Sequence, residues 1–140
     1  MRRGRPRKTE PNEVLNAVME IFWEKGYDGT SMADLVNATG MAKPGLYATF
    51  GDKEKLYSLA LEKYFTELGN PIIQEFIESD QPVEETVRNF LMKVTEGMFD
   101  ESRPNGCFLV NCLVEIESDI PNLEKMARKY NEIRRKAFID

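Results

Sequence analysis

Apolar residues recur every three or four positions along nearly the whole chain, and glycines cut that pattern three times by residue 51. In NEVLNAVMEIFWEKG, the residues Leu15, Val18, Met19 and Phe22 form an i, i+3, i+4, i+7 stripe, the signature of a helix with one buried face. Gly26 follows and suits a left-handed C-terminal cap. YDGTSMADLVNATG starts again. Thr30 or Ser31 can cap, and Ser31 with Asp34 resembles a capping box in which Asp replaces the usual Glu. Gly40 ends this second segment. Lys43 to Phe50 reads as a third, with Pro44 in its first turn, where a missing N–H costs least. Gly51 closes it, and Asp52 can cap a longer helix from Lys53.

Beyond that point the pattern stays helical. Leu56, Leu59, Ala60, Tyr64 and Leu68 share a face up to Gly69-Asn70-Pro71, where a break or kink is expected. Pro82 opens a helix to about Phe99, with Val83, Val87, Phe90, Leu91, Val94 and Met98 expected inward. CFLVNCLVEIES is apolar nearly all round at its start and reads as a central, buried helix. Asn122 is expected to cap a last helix, still periodic at Asp140, so further sequence is expected beyond that residue. The expectation is an all-α protein: a basic arm over 1–11, a three-helix unit over 12–51, and a helical regulatory domain over 52–140, expected to be incomplete.

Charge separates the two ends. Arg2, Arg3, Arg5, Arg7 and Lys8 crowd the start, yet the net charge is -5. Residues 1–50 hold 7 cations and 6 anions, and residues 51–140 hold 12 and 18. A polyanion would therefore meet the N-terminal end and not the acidic remainder. No apolar run follows the basic start as in a secretory signal, and two cysteines do not make a disulfide framework, so a reducing cytoplasm is expected.

The second and third segments, joined by Thr39-Gly40-Met41-Ala42, have the make-up of a helix-turn-helix. In that motif one helix braces the DNA backbone while the next presents its N-terminal residues to the major groove. Leu35, Val36, Met41, Leu46 and Phe50 are spaced to pack both onto the first helix. Lys43, Pro44, Gly45, Tyr47, Ala48 and Thr49 are left on the outer face, small or hydrogen-bonding residues that permit close approach to bases.

GYDGTSMADLVNATGMAKPGLYATFGDKEKLY resembles the DNA-binding domain of the TetR family of bacterial transcriptional regulators. The resemblance rests on Gly26-Tyr27, Thr30-Ser31-Met32, Gly40-Met41, Lys43, Leu46-Tyr47, Phe50, Lys53-Glu54 and Leu56. It covers about residues 12 to 57; GCFLVN at 106–111 is a weaker likeness to a ligand-domain helix of many members. The resemblance implies a homodimer whose small N-terminal domain binds palindromic operator DNA. It implies that the C-terminal domain binds a small-molecule inducer and dimerises, with release of a repressed operator. Carried over by position, Lys43, Tyr47 and Lys53 meet phosphates or nearby base edges, Thr30 and Ser31 lie at the second helix's N-terminus beside a phosphate, and Pro44 and Gly45 face bases. Ala42, where Ser is frequent in the family, implies a lost helix cap worth about 1 kcal/mol, and Ala48 and Thr49, where larger residues are frequent, put the particular operator in question but not the DNA binding. Arg-Gly-Arg-Pro matches an AT-hook core, so Arg3 and Arg5 are expected in the adjacent minor groove.

Phe65, Phe90, Met98 and Phe108 are core or the lining of an inducer cavity, and Asn111 either bonds a neighbouring helix or orients a ligand. Cys107 is a small buried hydrophobe or, at a helix N-terminus, a reactive thiol. Catalysis is poorly supported: with no histidine, Ser-His-Asp and Cys-His arrangements and histidine-bound zinc are excluded, and no cofactor or metal is expected. Two rival readings remain at this level, a helical ligand-binding or interaction module that never meets DNA and an architectural binder of AT-rich minor grooves.

Overall fold

The computed structural model describes residues 10–115 and 121–139. The basic arm with Arg3 and Arg5 lies outside them. The described residues are helical, without a strand: α1 (Pro11–Lys25), α2 (Met32–Thr39), α3 (Lys43–Phe50), α4 (Lys53–Tyr64), a π-helical turn (Phe65–Gly69), α5 (Asn70–Ile77), α6 (Val83–Met98), α7 (Phe108–Glu115) and α8 (Pro121–Ile139). None of these helices is long and apolar enough to cross a membrane.

Helix α1 lies against α2 and α4, α3 bridges α2 and α4, and α4 runs on to touch α7 and α8. The stripe of α1 buries Val14, Val18, Met19, Phe22 and Trp23, while Leu15 is only half-buried. The face is rotated slightly because α4 and α7 both press on its C-terminal end. There Phe22 meets Tyr57 of α4 edge-on at 4.9 Å between ring centroids. Trp23 stacks on Phe108 of α7 at 6.4 Å and meets Tyr64 edge-on at 5.0 Å. One continuous apolar cluster thus runs from Val14 to Tyr130, through the N-terminal three helices and the C-terminal bundle alike.

The junction is also polar. The Tyr27 backbone N–H donates to Glu115 Oε2 at 3.2 Å, from the last residue of α7. Gly26 makes the approach possible. Its φ of 76° and ψ of 177° lie outside the left-handed well expected for a cap, in a region essentially reserved to glycine. A Cβ there would fall 2.1 Å from Glu115 Oε1.

Four expectations need correction. Of the break or kink expected at Gly69-Asn70-Pro71, the break is absent: the chain widens into a π turn, with the Asn70 N–H bonding to Phe65 O, and Pro71 falls in the first turn of α5. The looser turn absorbs the proline, which has no N–H to contribute. Helix α6 buries none of its residues, because it packs chiefly on α5. Phe90 and Val94 are half-buried, whereas Val83, Val87, Leu91 and Met98 are exposed. Helix α7 is one-sided rather than central: Phe108, Leu109 and Cys112 are buried, and Val114 is 72% exposed. The last helix starts at Pro121, one residue before Asn122.

Candidate nucleic-acid interface

Helix α2 begins with a complete capping box. The Asp34 N–H donates to Ser31 Oγ at 3.1 Å and the Ser31 N–H returns the bond to Asp34 Oδ2 at 2.9 Å. Lys25 of α1 adds an ion pair to Asp34 at 3.2 Å. The Ser31 N–H first, then Lys25, holds the Asp34 carboxyl below its usual range. This contact stabilises the fold above the ordinary carboxylate pKa and fades as pH falls through the lowered one.

Thr30 has a different role from the one expected. It is 1% exposed, and its hydroxyl donates to Gly26 O at 2.6 Å. Its side chain ties down the loop between α1 and α2 and has no surface to offer a phosphate. Ser31, the N-cap itself, is exposed.

The turn between α2 and α3 is held by Thr39, a residue that sequence reasoning misses. Its hydroxyl donates to Leu35 O at 2.7 Å and accepts from the Met41 N–H at 3.2 Å. Gly40 supplies the left-handed residue, φ 69° and ψ 6°. A hydroxyl one position before a capping glycine is the signal that could have found it. Leu35 and Leu46 are fully buried, and Met41 and Phe50 pack at the edge of the core.

Anchored through Leu46, α3 turns Lys43, Pro44, Ala48 and Thr49 to the surface, with Gly45 and Tyr47 half-buried between them. The Lys43 ammonium sits 5.5 Å from the Tyr47 ring centroid, and Lys53 of α4 sits 4.4 Å from that of Tyr27. Burial, with help from Glu54 and Asp52, raises the Tyr27 hydroxyl above its ordinary pKa, so it stays neutral under the Lys53 cation. The fold therefore brings Ser31, Lys43, Pro44, Gly45, Tyr47, Ala48, Thr49 and Lys53 to the helix-turn-helix end, and sets Thr30 behind them.

Ala42 is the N-cap of α3 and makes no side-chain cap bond. Restoring an acceptor with Ala42→Ser is expected to stabilise the protein by about 1 kcal/mol, read as a rise in the urea midpoint at unchanged slope.

A cavity of about 300 Å³ lies between α1, α4, the π turn, α5, α6, α7 and α8. Phe65, Phe90 and Met98 are among the residues that line it. Phe108 and Asn111 are not: Phe108 is consumed by the aromatic cluster, and the Asn111 amide folds back beside Gly106. Trp23, Tyr64 and Cys107 line the cavity as well, brought there from α1, α4 and the residue before α7. Both cysteines are free thiols. Cys112 is buried against Tyr57, and burial pushes its pKa up to about 11.

The family described as "Bacterial regulatory proteins, tetR family" matches residues 14–60, the three helices and the start of α4. Among curated relatives, the HTH-type transcriptional repressor ComR of Escherichia coli K12 is 32% identical over 117 residues, 84% of this chain and 56% of its own length. The HTH-type transcriptional repressor BdcR of the same organism is 31% identical over 127 residues, 91% of this chain and 62% of its own length. This chain thus spans about six-tenths of those relatives. A solved structure of the TetR family transcriptional regulator CifR, a cysteine mutant complexed with 26 bp double-strand operator DNA, superposes with a TM-score of 0.76. The superposition has 26% identity and covers 96% of this chain and 72% of the other. The capping box, the glycine turn and the outward α3 all lie within residues 14–60, and this part of the chain is a domain of the TetR family of bacterial regulatory proteins.

Proposed function

We propose that this protein is a ligand-responsive transcriptional repressor of the cytoplasm. Two copies bind a palindromic operator through α3, and a small molecule in the C-terminal cavity releases it. The repressors among its relatives and the operator complex of CifR support the reading. In a dimer the two α3 helices enter successive major grooves, about 34 Å apart. Ligand binding favours a spacing out of that register. A differential affinity of about 1–3 kcal/mol changes operator affinity roughly 5- to 150-fold.

One observation carries the reading. Gly45 lies inside a helix without positive φ, and a Cβ there would meet only Met41 Cε at an ordinary 3.6 Å. Neither backbone conformation nor packing calls for glycine, which costs a helix interior about 1 kcal/mol relative to alanine. Close approach of an external backbone does call for it. Gly45→Ala is therefore expected to raise stability by about 0.5–1 kcal/mol while lowering affinity for a selected duplex at least severalfold. Denaturation and fluorescence anisotropy on the same preparation read the two opposite signs. Equal or tighter duplex binding by the variant would contradict placement of Gly45 against DNA.

The salt dependence tests the same interface. Operator affinity is expected to fall steeply between about 50 and 200 mM salt. Lys43→Ala and Lys53→Ala should each weaken all duplexes alike and flatten the log–log slope by about one for every phosphate that is no longer neutralised. A ligand carrier would show no duplex affinity at any salt.

A further inference from the structure

Residues 51–140 hold 18 acids against 12 cations, yet the cavity wall has the opposite balance. Among the described residues, its lining carries Lys93, Arg103 and Arg134 and no Asp or Glu. Two of these cations already have acids. Lys93 pairs with Glu75, and Arg103 with Asp100 at 3.0 Å; both carboxylates belong to residues outside the lining. Arg134 differs. Its guanidinium meets no acid among the described residues, and its one hydrogen bond there goes to a neutral partner, Asn131 Oδ1 at 2.6 Å. A guanidinium presents five N–H donors, so most of this fork is without a protein acceptor.

The helix places Arg134 toward the cavity. Residues four apart share one face, and Tyr130, Arg134 and Phe138 are so spaced along α8. Tyr130 stacks on Phe65 at 4.3 Å between ring centroids, and Phe138 meets Phe90 edge-on at 4.9 Å. Phe65 and Phe90 are both cavity walls, so the stretch of α8 between these two contacts is held against the cavity. Arg134 is half-buried there. A cation partly withdrawn from water attracts an anion more strongly than one fully in solvent.

We infer that the cavity takes a small molecule with an apolar, ring-bearing body and one carboxylate, and that Arg134 pairs with that carboxylate. Phe65, Phe90 and Phe138, with Ile72 and Leu109, take the body. The planar fork matches the two carboxylate oxygens. A polyanion is disfavoured, since only one lining cation lacks an acid of its own. The inference rests on the ligand-responsive reading above and adds the charge class of the ligand. Trp23 of α1 and Tyr64 of α4 line the same cavity, so occupancy ties α8 to the two helices against which α2 and α3 pack.

The test titrates the 140-residue chain by calorimetry with two probes of one shape, the anion naphthoate and the neutral naphthamide. Naphthoate is expected to bind about tenfold more tightly than naphthamide. Arg134→Gln should bring naphthoate down to the naphthamide level and leave naphthamide binding unchanged. Equal affinity for the two probes, tighter binding of the amide, or no binding of either would overturn the inference. A preference for naphthoate that survives Arg134→Gln would also overturn it, and would assign recognition to Lys93 or Arg103. Should Arg134→Gln fail to fold, Arg134→Lys keeps the charge and loses the fork. It should lower the naphthoate-to-naphthamide ratio severalfold, and an unchanged ratio would count against the pairing. These titrations contain no DNA, so they stand even if duplex binding fails. Adding naphthoate to a preformed protein–duplex complex tests release separately: a bound probe that leaves the duplex in place would refute the ligand-responsive reading and not the carboxylate site.

Discussion

Phe22→Ala is expected to destabilise the protein by about 3–5 kcal/mol, a loss at the upper end for a single truncation. Phe22 is fully buried and contacts Tyr57 edge-on at 4.9 Å and Tyr27 in a stacked arrangement at 6.3 Å. Its removal would leave a void that two aromatic rings fixed on separate segments cannot easily fill. A domain is stable by only about 5–15 kcal/mol, so the loss is a large fraction of the total. Thermal melting should fall by roughly 10–17 °C for a chain of this length. Because the apolar cluster is continuous, the N-terminal and C-terminal parts should melt together. A variant whose α5 and α6 melt at the original temperature while α1–α4 melt early would show that the cluster does not couple them.

Leu46→Ala should act more locally but with the larger functional consequence. Leu46 is the only fully buried side chain of α3. Truncating it is expected to cost about 2–5 kcal/mol. Helix α3 has eight residues and is too short to persist without its packing. Local opening should follow, with hydrogen exchange of the α3 amides accelerating before that of α4. Operator affinity should drop by more than tenfold at temperatures where the remaining helices stay protected. Unchanged affinity alongside faster α3 exchange would mean that this helix is not what reads the duplex.

The N-terminal end is the legible part of the chain. Ser31, Asp34, Gly40 and Pro44 are local signals, each acting within four residues, and all four take the places their neighbours imply. Expectations fail where distant residues decide. Thr30 looks like a cap as readily as Ser31, until burial against the end of α1 claims its hydroxyl. The apolar stripe of α6 predicts an inward face, but periodicity does not say what a face will meet, and α5 covers only part of it. Phe108 and Asn111 look suited to a cavity. One joins an aromatic cluster whose other members come from α1 and α4, and the other turns toward its own Gly106. Trp23 escapes sequence reasoning on the same grounds, since a residue on the first helix gives no local hint of reaching the C-terminal bundle.

The seam at Gly26, Tyr27 and Glu115 bears on how such proteins can be recombined. A graft that exchanges operator preference by swapping residues up to Gly51 would cut across interlocked partners: Trp23 against Phe108, and the Tyr27 N–H against Glu115. The donor segment must arrive with a glycine where the carboxylate comes to rest, or the recipient's α7 will have nowhere to seat. Hybrids between relatives should therefore succeed according to how well these few junction residues match, more than by overall likeness of the exchanged halves.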